Sequence, residues 1–220
     1  MIPLGDVSRR PTRFPIVTLV LVAVNVAAFC AELAFGDTFV VRWSLVPAQI
    51  TSGHHLETIL TAMFLHASWS HIVGNMIFFW AFGPEVEDEM GPGRYLLFYL
   101  LGGVVAMVSQ VIAGPHSTVP NLGASGAIAA VMGAFLVTFP TDRIRSLLVI
   151  GIFVRIAYVP AMVLIGLWFL YQLWQAGTIV PTETGGVAYI AHIGGLLFGA
   201  FFARLFERSV SEVNVTSEEH

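Results

Sequence analysis

Apolar stretches long enough to cross a lipid bilayer follow one another through most of this chain, and they restrict it to a membrane fold before any other feature is considered. A hydrocarbon core of about 30 Å needs roughly 20 residues of helix, because backbone in lipid must satisfy its own hydrogen bonds. Six runs are read as spans: residues 14–35, 70–82, 95–113, 123–139, 157–174 and 187–206, the second borrowing its first turns from His66-Ala67-Ser68-Trp69. The first is too long for a signal-peptide core and lacks a clear cleavage site, so it is read as a retained span. A composition of 56% hydrophobic and 11% charged residues, with a mean hydropathy of +0.81, excludes a soluble globule.

The expectation is therefore an all-α polytopic membrane protein of six transmembrane helices. Its parts are an N-terminal segment (1–13), a membrane domain (14–206) and a polar, disordered tail (207–220). Residues 36–68 are too polar to span and too apolar to be a tether, which predicts an interfacial first outer loop with short helices. The short apolar stretch 144–155, flanked by arginines, is expected at the membrane surface. With six spans both termini share a side, and that side holds nine of the ten arginines, all but Arg42. The positive-inside rule makes it the cytoplasm, in what is expected to be a prokaryotic inner membrane. No basic stripe exists to neutralise phosphates, so no nucleic-acid partner is expected.

Polar groups inside these spans are few, and they converge. Ser125 sits between Gly123 and Gly126 at the head of the fourth run, His71 and Asn75 lie four apart on the second, and His192 lies near the start of the sixth. Spans two, four and six run in the same direction, so distance from a span's start measures depth. At about 1.5 Å per residue, Ser125 and His192 both fall roughly 3 to 8 Å below the outer surface. Intramembrane polar residues are costly, and three helices bringing them to one level point to a site. A serine hydroxyl needs a base to attack, and His192 is the candidate. No carboxylate falls in the later spans, so the expected machinery is a Ser-His dyad whose imidazole is oriented by packing or water. Asn75, His71 and the backbone N–H of Ser125 can supply donors to a developing oxyanion. Gly195 and Gly199, with His192 one turn before, form a small-residue face for close helix packing.

His66-Ala67-Ser68-Trp69-Ser70-His71-Ile72-Val73-Gly74-Asn75, then Gly123-Ala124-Ser125-Gly126, then Ala188-Tyr189-Ile190-Ala191-His192-Ile193-Gly194-Gly195 resemble, in order and by span, the signature motifs of rhomboid intramembrane serine proteases. Glu85-Val86-Glu87 and Trp168-Phe169-Leu170 extend the likeness across residues 14–206. The resemblance implies a rhomboid-like six-helix bundle in which Ser125 is the nucleophile, His192 its base, and His71 and Asn75 part of the oxyanion hole. It implies a structural role for His66, holding the outer loop by hydrogen bonds, and for Glu87, tying the inner end of the bundle. It also implies cleavage of the transmembrane segments of single-pass or other membrane proteins near their outer end, and topology and analogy suggest substrate entry by movement of span five or of the loop after it, which carries Gly177, Gly185 and Gly186. One departure is Ala129, where some members carry an aromatic ring against the histidine. No cofactor is expected. A metal site on His66, His71 and His192 is disfavoured, since no His-Glu-x-x-His pair is present. The alternative function is a catalytically silent member that binds client helices.

Overall fold

The computed structural model describes residues 1–151, 153–178 and 188–208. Gly185, Gly186 and the tail from residue 209 onward lie outside the described residues. Six long helices form the body: α1 (Ile16–Phe35), α5 (Trp69–Met90), α6 (Pro92–Ala113), α7 (Ser125–Thr138), α8 (Ala161–Thr178) and α9 (Tyr189–Phe206). Between α1 and α5 the chain makes three short helices, α2 (Asp37–Trp43), α3 (Pro47–Thr51) and α4 (Thr58–Thr61), and a 3₁₀ turn at Ala62–Phe64. By length and composition α1, α6 and α9 are long and apolar enough to cross a membrane.

The all-helical expectation needs a correction. Strand β2 (Arg143–Ile150) and strand β3 (Phe153–Pro160) form an antiparallel hairpin, and β1 (Ile2–Asp6) from the N-terminal segment pairs with β2 to complete a three-stranded sheet. Isoleucine and valine recur through 144–159, and Gly151 at the turn has φ +60°. β-branched residues favour extended backbone, and a left-handed glycine permits the tight reversal. The fifth long helix consequently starts at Ala161, the preceding residues being strand. α5 likewise runs past residue 82, the expected end of the second span, to Met90 with Pro84 inside it.

The sheet end of the bundle is tied by charge and capping. The Glu87 carboxylate of α5 accepts from the backbone N–H groups of Val17 (2.8 Å) and Thr18 (2.7 Å) and from the Thr18 hydroxyl (2.7 Å). It satisfies orphan donors of the first turn of α1 and sits favourably at the positive end of that helix. Glu87→Ala is expected to destabilise the protein by about 2–4 kcal/mol, since a buried and a part-buried N–H group lose their acceptor; thermal unfolding in detergent checks it. Glu207 and Arg208, counted by hydropathy in the polar tail, are packed here too. Thr138 donates to Glu207 (2.8 Å), and the Arg208 guanidinium donates to the backbone carbonyls of Asp88 and Glu89.

α7 is the axis of the fold. Every residue from Gly126 to Phe135 is buried, and a helix apolar all round belongs in the interior. Its 14 residues span only about 21 Å, short of the hydrocarbon thickness. The loop that leads into its first residue, Ser125, is itself packed inside, with Asn121, Gly123 and Ala124 buried.

Candidate active site

Ser125 is the first helical residue of α7, where the leading backbone N–H groups have no intrahelical acceptor. The approach is braced by the 36–68 segment. Leu45 and Asn121 exchange backbone bonds (2.9 and 2.7 Å), and Gly123 N–H donates to the Ala62 carbonyl (2.8 Å). Gly123 has φ +130°, a conformation that side-chain-bearing residues rarely adopt.

Glycines let α9 approach α7 closely. A methyl group at Gly195 would lie 2.1 Å from the Gly126 carbonyl oxygen, and one at Gly199 would lie 1.9 Å from that of Ala130. Gly126 itself seats against Ala106 of α6, where a methyl would meet another at 2.5 Å. The contact brings His192, which is buried, to Ser125: the imidazole Nε2 lies 2.6 Å from the hydroxyl oxygen.

The other imidazole nitrogen, Nδ1, lies 2.8 Å from Gln172 Oε1 on α8. An amide oxygen only accepts, so the neutral ring carries its proton on Nδ1 and turns the lone pair of Nε2 toward the Ser125 O–H. Gln172 was not expected from the sequence, which offered only packing or water to orient the base. A signal was present: Gln172 is a polar residue in an apolar run, one turn after Trp168. The ring absent at Ala129 is matched from that same helix, with Trp168 and His192 centroids 5.7 Å apart and planes at 35°.

His71 has the opposite tautomer. The backbone N–H of Ala67 donates to its Nδ1 (3.3 Å), leaving the proton on Nε2. A methyl at Gly123 would lie 2.9 Å from that Nε2 and 3.5 Å from Ser125 Oγ, so the missing side chain leaves a small space between a donor and the hydroxyl. Asn75, one turn along α5, is buried, and its Nδ2 finds no acceptor among the described residues. The geometry at His66 differs from the expectation. The loop bond comes from its backbone N–H, which donates to the Glu32 carboxylate (3.0 and 3.2 Å), while its ring packs edge-on against His71 at 5.1 Å.

Gly123→Ala is expected to keep the fold at a strain cost of about 1–3 kcal/mol. It should slow reaction at Ser125 by about 10²-fold, because the methyl displaces the His71 ring from the reacting space. Labelling rates with a serine-directed probe, read beside a melting curve, separate the two effects.

Comparison with known proteins agrees with the motif likeness. Residues 53–209 match the Rhomboid domain family. The chain is 31% identical over 145 residues to the Rhomboid protease GluP of Bacillus subtilis, covering 66% of this chain and 25% of that protein. It is 28% identical over 196 residues to the mitochondrial Presenilin-associated rhomboid-like protein of Homo sapiens, covering 83% and 46%. With the chloroplastic Rhomboid-like protein 11 of Arabidopsis thaliana it shares 33% identity over 158 residues, covering 68% and 52%. The chain thus spans between a quarter and about half of the length of these relatives. A family match over most of the chain, on a helical membrane bundle that brings the motif serine and histidine together, assigns this protein to the rhomboid family.

Proposed function

We propose that this chain is an intramembrane serine endopeptidase that hydrolyses a peptide bond near the outer end of a membrane-protein substrate's transmembrane segment. The observation that carries the reading is the 2.6 Å approach of His192 Nε2 to Ser125 Oγ across two helices. In this mechanism Ser125 Oγ attacks the scissile carbonyl carbon as its proton passes to His192 Nε2. The oxyanion is held by N–H groups of His71 Nε2, Asn75 Nδ2 and the Ser125 backbone, the last at a helix N-terminus. His192 then gives its proton to the leaving amine. A water attacks the acyl-enzyme, losing a proton to His192, and the acid product leaves as Ser125 recovers its hydrogen.

Asn75 supports the oxyanion role. A buried N–H without a partner costs about 1–3 kcal/mol, and a substrate oxyanion would supply its missing acceptor. In this reading the membrane body is residues 14–206 with six spans and both termini lie in the cytoplasm, an orientation that the arginine distribution supports. The silent client-binding alternative has no use for a hydroxyl and an imidazole at bonding distance.

The test is co-reconstitution in lipid vesicles with a single-pass substrate whose outer membrane segment carries small residues. Mass spectrometry should find a cut in the outer third that vanishes in Ser125→Ala. The same products from Ser125→Ala would refute the reading.

A further inference from the structure

The imidazole of His192 is held from a helix that carries no other part of the dyad or of the oxyanion donors. Ser125 meets it from α7, and Tyr189 lies edge-on along α9 at 6.5 Å. Its orientation comes from α8, through the Gln172 hydrogen bond at 2.8 Å and the Trp168 ring at 5.7 Å. The two residues are four apart, so they project from the same face, one turn above the other. Gln172 is 4% exposed, and a buried amide in an apolar helix is costly unless bonded. Ala161, Leu164 and Ile165 continue that buried face, whereas Leu167, Leu170, Tyr171 and Trp174 are exposed on the others. α8 thus meets the bundle along a single stripe, and the stripe ends on the base.

We infer that α8 is the positioning element for His192: Gln172 selects the Nδ1–H tautomer, Trp168 fixes the ring plane, and the base is competent only while α8 is docked. This rests on the protease reading, and it adds a control to it. A neutral imidazole without Gln172 can carry its proton on either nitrogen, and with the proton on Nε2 it cannot accept from Ser125. Both contacts come from α8, so loss of its packing on α9 would remove the acceptor and the ring together. Neither residue touches the reacting atoms, and both act through His192.

The experiment measures the rate at which a fluorescent fluorophosphonate labels the full chain in detergent, with thermal unfolding as the control for folding. Gln172→Leu fills the site without an acceptor and should lower the rate about 10- to 100-fold, the scale seen when a partner that orients a metal-bound histidine is lost. Gln172→Glu restores an acceptor at the same reach and should return the rate to within about tenfold of wild type. Trp168→Phe should keep more activity than Trp168→Ala. A wild-type rate in Gln172→Leu overturns the inference. Should that variant fail to fold, the wild-type protein still decides: ¹⁵N spectra of histidine-labelled protein, with the His192 signals identified by their loss in His192→Asn, must show Nδ1 protonated. An Nε2–H signal there overturns the proposal. Labelling that persists in Ser125→Ala would remove the protease reading and this inference with it; labelling absent in Ser125→Ala but unchanged in Gln172→Leu would remove the inference alone.

Discussion

His192→Ala is expected to slow acylation of Ser125 by about 10⁴- to 10⁶-fold, because a serine and its base act as a unit and loss of either forfeits nearly the whole effect. Among the described residues no second base is placed to substitute for this histidine. Its Nε2 is 2.6 Å from the hydroxyl, whereas the nearby His71 accepts at Nδ1 from the Ala67 N–H and keeps its proton on Nε2, which makes it a donor. The variant should remain folded, at a cost of about 1–3 kcal/mol for the bond lost to Gln172 and the cavity beside Trp168. Single-turnover labelling measures the rate, and a melting curve in the same detergent measures the cost. A loss below tenfold would mean that another group takes the proton.

Gly199→Val should be the most destabilising single change in the bundle. The first carbon of the new side chain would lie 1.9 Å from the Ala130 carbonyl oxygen and 2.7 Å from its carbon. These are backbone atoms of the buried axial helix, so no rotamer change relieves the clash and α9 has to move. Overpacking of this kind costs about 3 kcal/mol or more. The same movement pulls His192 from Ser125, and a displacement of about 1 Å costs about 10²-fold in rate. Stability and activity should therefore fall together. Gly166→Ala on α8 is the contrasting control. A methyl there meets nothing within 4 Å, and removing a glycine from a helix interior should be neutral or stabilising by up to about 1 kcal/mol. Melting temperatures of the two variants, measured side by side, give the comparison.

Hydropathy and motif order made much of the helical body legible. The runs at 14–35 and 95–113 correspond to α1 and α6 almost residue for residue, since a helix in lipid is specified largely by apolar length. Ser125, His71, Asn75 and His192 stand out as candidates in the sequence because each is a polar residue in a setting that penalises polarity. The sheet was not. Apolarity and length, which place residues 144–155 at the membrane surface and 157–174 in a span, cannot separate a helix from a strand, and the partner strand at 2–6 lies far away in sequence. The second run likewise extends beyond residue 82, where its apolar stretch ends. Proline commonly ends a helix, but neighbouring helices tolerate it within a membrane bundle, and α5 continues for six residues to Met90. Gln172 carries no charge and belongs to no motif quoted from the chain, so only the folded packing of α8 against α9 shows which atom it serves. Glu32 is comparable, a carboxylate at the end of an apolar run whose partner, the His66 backbone N–H, cannot be read from side-chain identities.

The most direct measurement for the central claim is intact-mass and peptide mapping of the protein after exposure to a fluorophosphonate. The geometry predicts one adduct, on Ser125, formed by the wild type and abolished by His192→Ala while the fold persists. An adduct on any other residue, or labelling of Ser125 that is indifferent to His192, would contradict the account.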